Sequence, residues 1–205
     1  KTRTAYGVLS CAILVGSLAW MQTAWSASKL VAVERDYVTA PHAPTNQTAA
    51  QVQAKSAGCA SCHTQTDAKT MHLNPAVKLG CTDCHGGDAG VRRPDGTAGL
   101  EDASYLAAME QAHVLPRYPD AWHFPSSANP ERTYTLLNKE SPEFVRFINP
   151  SDYRIAREAC GACHLPIIEA AERSLMATSA MLWGGAAYNN GILPYKRYLL
   201  GEAPE

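Results

Sequence analysis

Three copies of the pattern Cys-x-x-Cys-His are the residues of this sequence best suited to chemistry. They are Cys59-Ala-Ser-Cys62-His63, Cys81-Thr-Asp-Cys84-His85 and Cys160-Gly-Ala-Cys163-His164. This pattern is the attachment signature of c-type haem. Two thiols at this spacing reach the two vinyl groups on one porphyrin edge and form thioethers, while the adjacent imidazole binds the iron as proximal ligand. The motifs therefore predict three covalently bound haem c groups, with His63, His85 and His164 as proximal ligands.

The cysteines have two other possible roles, in a zinc site or in disulfides. The first two motifs also match a four-cysteine zinc site, and six cysteines in an exported chain are compatible with three disulfides. Neither explains why a histidine directly follows every pair, in a chain where histidine is only 7 of 205 residues. The zinc reading also leaves Cys160 and Cys163 without a role. The sequence therefore favours haem over both.

Four histidines outside the motifs are candidates for the distal iron ligands. His72 lies between the first two motifs, in a segment too short to form a core of its own, which favours a ligand over a surface residue. His113 falls on the apolar face of a predicted helix, where it either binds an iron or packs in the core. His42 lies on a proline-containing extended arm and fits a surface role equally well. His123 follows a tryptophan and is either a ligand or a packing residue.

The number of these candidates bears on function. Four histidines for three irons allow every iron to hold two imidazoles, and an iron saturated in this way binds no substrate. Two imidazoles set a lower potential than a histidine and a methionine, and Met176 and Met181 are predicted core residues of a helix. The sequence thus predicts an electron carrier. A small oxyanion reductase, with one five-coordinate iron near Arg154 or Arg157, is the enzyme alternative.

Short helices are the elements expected to position the motifs. Periodicity and capping residues predict helices over 49–56, 100–114, 142–148, 153–159 and 167–183, the last ended by Gly184 and Gly185. The 13 prolines and 14 glycines interrupt the rest of the chain. The prediction is a mainly α fold with much irregular loop, in which bound porphyrins supply much of the buried apolar surface.

The first 28 residues have the layout of a secretory signal. Lys1 and Arg3 precede an apolar run, and the small residues near Ser26 and Ser28 provide candidate cleavage sites. The run 5–25 is also long enough to remain as an uncleaved anchor, although cleavage is favoured. Export agrees with haem c, which is attached outside the cytoplasmic membrane. Residues 29–205 are then a trihaem domain, alone or within a longer chain, and the net charge of −1 does not indicate nucleic-acid binding.

On the three motifs, the run Cys81-Thr-Asp-Cys84-His85-Gly-Gly and the signal before them, residues 57–185 resemble the multihaem c-type cytochromes of anaerobic respiratory bacteria. The resemblance implies short helices wrapped around stacked haems, bis-histidine iron and electron transfer along the stack. It also implies redox protein partners, in the periplasm or at the cell surface of a Gram-negative bacterium. A subunit of an extracellular haem filament or of a membrane complex is the structural alternative. The long stretch 86–159 predicts a third haem that stands apart from the first two or pairs across an interface.

Overall fold

The structure is a computed structural model of the chain, and it describes residues 30–64, 67–68, 70–122, 134–178 and 180–192. Within these ranges, helices alternate with irregular segments and no residue is in a strand. The prediction of a mainly α fold with much loop is therefore confirmed. The predicted signal at 1–28 and the candidate ligand His123 lie outside the described residues. No helix among the described residues is long and apolar enough to span a membrane.

The helices are numbered here in chain order. The α-helices are α1 (Ala49–Ala54), α2 (Ala57–Cys62), α3 (Cys81–His85), α4 (Ala103–Ala112), α5 (Pro142–Ile148), α6 (Ala156–Glu172), α7 (Leu175–Thr178) and α8 (Ala180–Asn189). Two 3₁₀ helices, Pro119–Ala121 and Tyr134–Lys139, lie between α4 and α5.

Two of the predicted helices begin at side-chain caps. The Asp102 carboxylate accepts the N–H of Ser104 at 2.9 Å and starts α4, the helix predicted to carry His113. The Ser141 hydroxyl accepts the N–H of Phe144 at 3.1 Å and starts α5. Both caps satisfy amide groups that have no partner within the first turn of a helix. His113 itself follows the last residue of α4 as its C-cap.

The C-terminal helices differ from the prediction. α6 runs through the third motif and continues past it, with a break in helical geometry at His164 (φ −114°, ψ 15°). Pro166 is tolerated because it opens the turn after this break, where an amide N–H has no helical partner to lose. The single helix predicted over 167–183 is instead divided among α6, α7 and α8. Gly184 and Gly185 were expected to end a helix but lie inside α8, where a glycine costs only about 1 kcal/mol.

The helix of the second motif packs against two others. α3 contacts both α5 and α6, and α6 carries the third motif. The apolar residues beneath these helices include Phe144, Val145, Ile155 and Ala159, all of them buried. The helix of the second motif is therefore packed directly against the helix that carries the third motif.

A buried carboxylate fixes the chain that leads away from α4. Glu140 accepts the N–H groups of Arg117 (2.6 Å) and Tyr118 (3.1 Å) and the indole N–H of Trp122 (2.8 Å). The Trp122 ring in turn packs edge-on against Phe144 of α5, with ring centroids 5.1 Å apart. The segment preceding His123 is thereby anchored to α5.

The extended arm that carries His42 is irregular, as predicted, but it is docked along the body of the protein. The Tyr37 hydroxyl donates to the carbonyl of Leu115 at 3.0 Å. The N–H of Ala43 donates to the carbonyl of Glu158 on α6 at 3.1 Å, and Ala43 is buried. These contacts leave the His42 side chain exposed between fixed neighbours.

Candidate functional site

Each Cys-x-x-Cys-His motif lies on or at the end of a helix. The first motif ends α2 with His63 as its C-cap, the second is the whole of α3, and the third lies in α6 with His164 at the break. Residues three apart on a helix share a face, so both thiols of a motif can meet one ligand edge. All six cysteines of the motifs are free thiols.

The second motif lies between the other two. The thiols of Cys59 and Cys81 are neighbours, and their interaction raises the pKa of Cys59 and lowers the pKa of Cys81 to about 5. Burial, and after it the nearby Cys160 thiol, raises the pKa of Cys84. The third motif therefore packs beside the second. The expectation that the long stretch 86–159 would leave it apart is wrong, because α5, within that stretch, and α6 both fold back onto α3.

The loop after the second motif connects it to the first motif and to α4. The Ala89 carbonyl accepts the N–H of Gly58 at 2.8 Å, and the N–H of Asp88 donates to the carbonyl of Ala112 at 2.9 Å. Gly87 (φ +77°) has no room for a side chain, since a Cβ there would stand 2.7 Å from the Ala112 oxygen. This loop therefore links the first turn of α2 to the end of α4.

His63, the C-cap of α2, and His113, the C-cap of α4, lie next to each other as a result. Their ring centroids are 6.2 Å apart and their planes differ by 33°. The pair joins a motif histidine to one of the non-motif candidates. The Phe147 ring packs against His113 at 4.9 Å between centroids and supports it from α5.

A second pair has the same spacing. The rings of His72 and His164 have centroids 6.2 Å apart and planes within 12° of parallel. His72 comes from the segment between the first two motifs, and His164 belongs to the third motif. The two histidines of this pair are farther apart in the sequence than the first two, yet they reach the same separation.

The spacing is that of two imidazoles on opposite sides of one metal ion. Metal–imidazole bonds are about 2.0–2.1 Å long, and the ring centre lies roughly 1.1 Å beyond the bound nitrogen, which puts two axial rings about 6.2–6.4 Å apart. Aromatic rings that pack without a metal have centroids about 4.5–7 Å apart, so the spacing fits a metal-bridged pair without requiring one. The two observed pairs therefore fit a hexacoordinate iron with two histidine ligands.

Hydrogen bonds at Nδ1 orient two of the motif histidines. His85 Nδ1 lies 2.6 Å from the carbonyl oxygen of Phe147, and because a carbonyl only accepts, the nitrogen carries the proton. His63 Nδ1 lies 2.6 Å from a carboxylate oxygen of Asp67, which likewise accepts. An imidazole with Nδ1–H bound in this way offers Nε2 to a metal.

The His113 imidazole is in the protonation state that a metal ligand needs. Burial, and secondly the neighbouring His63, lowers the pKa of His113 to about 4. It is therefore neutral at neutral pH, and neutral imidazole is the form that binds metals.

His85 has no imidazole partner among the described residues. His42, the third described candidate, is exposed and makes no ring contact with a motif histidine in that part of the chain. The remaining candidate, His123, lies outside the described residues. The structure thus places two of the four candidate histidines, His113 and His72, next to motif histidines, and places no candidate next to His85 within the described residues.

Apolar side chains are exposed around the His72–His164 pair. Leu73 is 101% and Met71 80% exposed on either side of His72, and Leu165 next to His164 is 40% exposed. A porphyrin whose iron lay between these two imidazoles would cover apolar surface of this kind. The residues present therefore fit haem.

The zinc reading has no matching geometry. Within the described ranges, no three histidine, cysteine, aspartate or glutamate side chains converge on a common point suited to a metal ion. The four cysteines of the first two motifs therefore do not form the tetrahedral cluster that a structural zinc needs.

Sequence reasoning missed the polar residues that hold the second motif in place. Asp83, one of its two variable positions, is buried and accepts from Gly80 N (2.7 Å) and Gln47 Nε2 (2.6 Å), and it pairs with the Lys55 ammonium. Burial alone would raise its pKa, but these three partners hold the pKa of Asp83 below its usual range. Arg146 of α5 binds the same helix from the other side. Variable positions of a motif carry no sequence signal for such contacts.

Comparisons with protein families, with characterised proteins and with solved structures find no match to this chain. The site itself consists of three Cys-x-x-Cys-His motifs and two imidazole pairs with ring centroids 6.2 Å apart.

Proposed function

We propose that the chain is a trihaem c-type cytochrome that carries single electrons between redox protein partners. The observation that carries the proposal is the pair of imidazole contacts at 6.2 Å. Each contact joins the histidine of a Cys-x-x-Cys-His motif to a histidine remote in the sequence. Packing alone gives no reason for this correspondence, and axial ligation of iron does.

The residues that would hold the haems follow from the motifs and pairs. Cys59 and Cys62, Cys81 and Cys84, and Cys160 and Cys163 would form the thioethers; His63, His85 and His164 are the proximal ligands; His113 and His72 are the distal ligands at the first and third sites. When bound, each haem supplies an iron that takes up and releases one electron.

The chain's own part is to fix ligands and exclude substrates. His113 and His72 occupy the positions where a substrate would bind at the first and third sites. The Phe147 carbonyl and the Asp67 carboxylate hold the Nδ1–H groups of His85 and His63, which keeps Nε2 directed at the metal. Rigid, saturated ligation of this kind favours an electron carrier over an enzyme.

The order of the motifs in space suggests a relay. Cys59 touches Cys81, and Cys84 neighbours Cys160, so the attachment edges of consecutive haems would be adjacent. The second motif would then hold the central haem, with those of the first and third motifs on either side of it. The predicted signal and the external site of haem attachment support a location in the periplasm or at the cell surface.

The enzyme alternative is a small reductase with an open iron at the second site. It is favoured by one observation, that His85 has no imidazole partner in the described part of the chain. The cations considered for it are otherwise engaged: Arg154 pairs with Asp152, and Arg157 pairs with Glu169 and Glu172. The filament alternative would need a distal histidine donated to a neighbouring subunit; His42 is exposed, but the segment that bears it is docked on α6 through the Ala43 N–H.

A haem count and a spin-state spectrum test the proposal. The protein is produced with a cytochrome c maturation system, haem is counted by the pyridine assay, and the oxidised sample is examined by near-infrared magnetic circular dichroism. Three haems per chain with only bis-histidine bands support the carrier. A high-spin fraction near one third makes the reductase the better description, and protein without haem refutes the cytochrome altogether.

A further inference from the structure

We propose that Arg146 is a positioning residue for the second haem, and that its fixed buried charge raises the reduction potential of that haem. This inference rests on the proposed function above. It assigns to α5 an electrostatic role in the relay, which neither the motifs nor the resemblance indicates.

The contacts of the guanidinium place it directly behind the second motif. Nε donates to the Cys84 carbonyl at 3.1 Å and Nη2 to the Asp83 carbonyl at 2.7 Å. Nη1 donates to Ala40 and Nη2 also to Pro41, both at 2.7 Å. Four backbone carbonyls from two segments thus converge on one side chain that is only 4% exposed.

These acceptors are neutral, so they solvate the charge without cancelling it. Within the described residues, no carboxylate forms an ion pair with Arg146, and the nearby Asp83 is already paired with Lys55. Glu158 is the other carboxylate close enough to interact. It lies two residues before Cys160, and its buried Oε2 has no hydrogen-bond partner among the described residues. The second motif therefore faces the cation, whereas the third motif has Glu158 close by as well.

Reduction of a haem adds one negative charge at the iron and its ring. A cation in a poorly screened, low-dielectric position stabilises that charge, and second-shell groups of this kind tune haem potentials. Arg146 should therefore favour the reduced form of the second haem. Glu158 should oppose reduction of the third, which gives the two neighbouring haems different potentials.

A purely mechanical role for Arg146 makes a different prediction. If the side chain only tied residues 40–41 to α3, its loss would reduce folding or haem attachment, and haems that do attach would keep their potentials. Arg146→Lys separates the two roles, because lysine keeps the charge but loses the planar fork that reaches several carbonyls. Arg146→Gln removes the charge.

The experiment is a spectroelectrochemical titration of the haem-loaded full chain, with the pyridine assay on each sample. The variants are Arg146→Lys, Arg146→Gln, and Arg154→Gln as an exposed arginine control. We expect Arg146→Gln to lower one of the three midpoint potentials by the equivalent of about a tenfold change in the reduction equilibrium, about 59 mV for one electron. Arg146→Lys and Arg154→Gln should remain close to the wild type.

Unchanged potentials in Arg146→Gln with three haems bound, or an equal shift in Arg154→Gln, would overturn the inference. If Arg146→Gln fails to bind haem, Glu158→Gln serves in its place, since it leaves the four carbonyl contacts intact. That variant should raise one midpoint potential, and an unchanged or lowered value is contrary to the inference. Failure of the proposed function is distinct from all of these, since the wild type itself would then carry no haem.

Discussion

Replacement of His113 by leucine tests the pairing of imidazoles most directly. In the structure His113 is the ring that lies 6.2 Å from His63, so its loss should leave the first iron with one histidine. Leucine fills a similar volume against Phe147 and offers no metal ligand. We expect the first haem to stay covalently attached, because Cys59 and Cys62 are untouched, and to change from low to high spin.

The size of the effect follows from the number of sites. One of three irons should convert, so the high-spin signal in the oxidised protein should account for about one third of the haem measured by the pyridine assay. His72→Leu should convert another third at the third site. The double variant should show about two thirds, because the two pairs share no residue and independent sites add.

The control is His42→Leu, in which an exposed histidine without a ring contact in the described residues is removed. Its spectrum should match that of the wild type. The reasoning from ring spacing is refuted if His113→Leu retains three low-spin haems, or if His42→Leu produces the one-third high-spin signal instead. A variant that binds fewer than three haems is compared by its spin state per haem, so that loss of attachment is not mistaken for loss of a ligand.

Three further variants test the second site and its supports. His123→Leu should make one third of the haem high-spin by the same spectrum, since His123 is the remaining candidate partner for His85; no change would point to an iron already open there. Glu140→Ala should lower the free energy of unfolding by about 3–5 kcal/mol in denaturant titrations, because it leaves three N–H donors of a buried network without their acceptor. The control is Glu143→Ala, at a more exposed position, which should lower the free energy of unfolding by less than about 1 kcal/mol. Gly58→Ala should impair folding and haem attachment, because a Cβ there would stand 2.0 Å from a backbone oxygen. Gly185→Ala, with open space around it, should be neutral or stabilising. Equal yields of holo-protein from the two glycine variants would contradict this account of the α2 contact.

Local sequence signals predicted the elements that carry the site. Ser141 followed by Pro142 predicted α5 with its observed limits, because a cap and a first-turn proline act within a few residues. The helix ending near His113 was likewise predicted from its apolar spacing and the proline that follows. The C-terminal boundaries were wrong, since Gly184 and Gly185 end a helix only where the chain needs a left-handed residue, and here α8 continues through them.

Long-range placement was beyond the sequence for a physical reason. Which non-motif histidine meets which motif depends on backbone contacts such as Gly58 with Ala89 and Asp88 with Ala112, and these involve residue types that carry no pairing signal. The same holds for Arg146, whose acceptors are carbonyls common to every residue. The length of the stretch 86–159 suggested a remote third motif, but length limits only how far a chain can reach and does not prevent its return.

The contacts of Asp83 and Arg146 with α3 also explain how a chain with few large side chains in its described core could hold its paired imidazoles about 6.2 Å apart. Asp83 links α3 to Gln47 and to Lys55 at the end of α1, and Arg146 links α3 to α5 and to residues 40–41. Buried charged groups are costly unless fully bonded, so these contacts stabilise one arrangement of the motif helices and disfavour the alternatives. A haem cluster needs that selectivity more than it needs a large apolar core, because the porphyrins themselves supply apolar surface but cannot choose which helices face one another. The electron path of the proposed relay would then be determined by two charged residues that carry no haem.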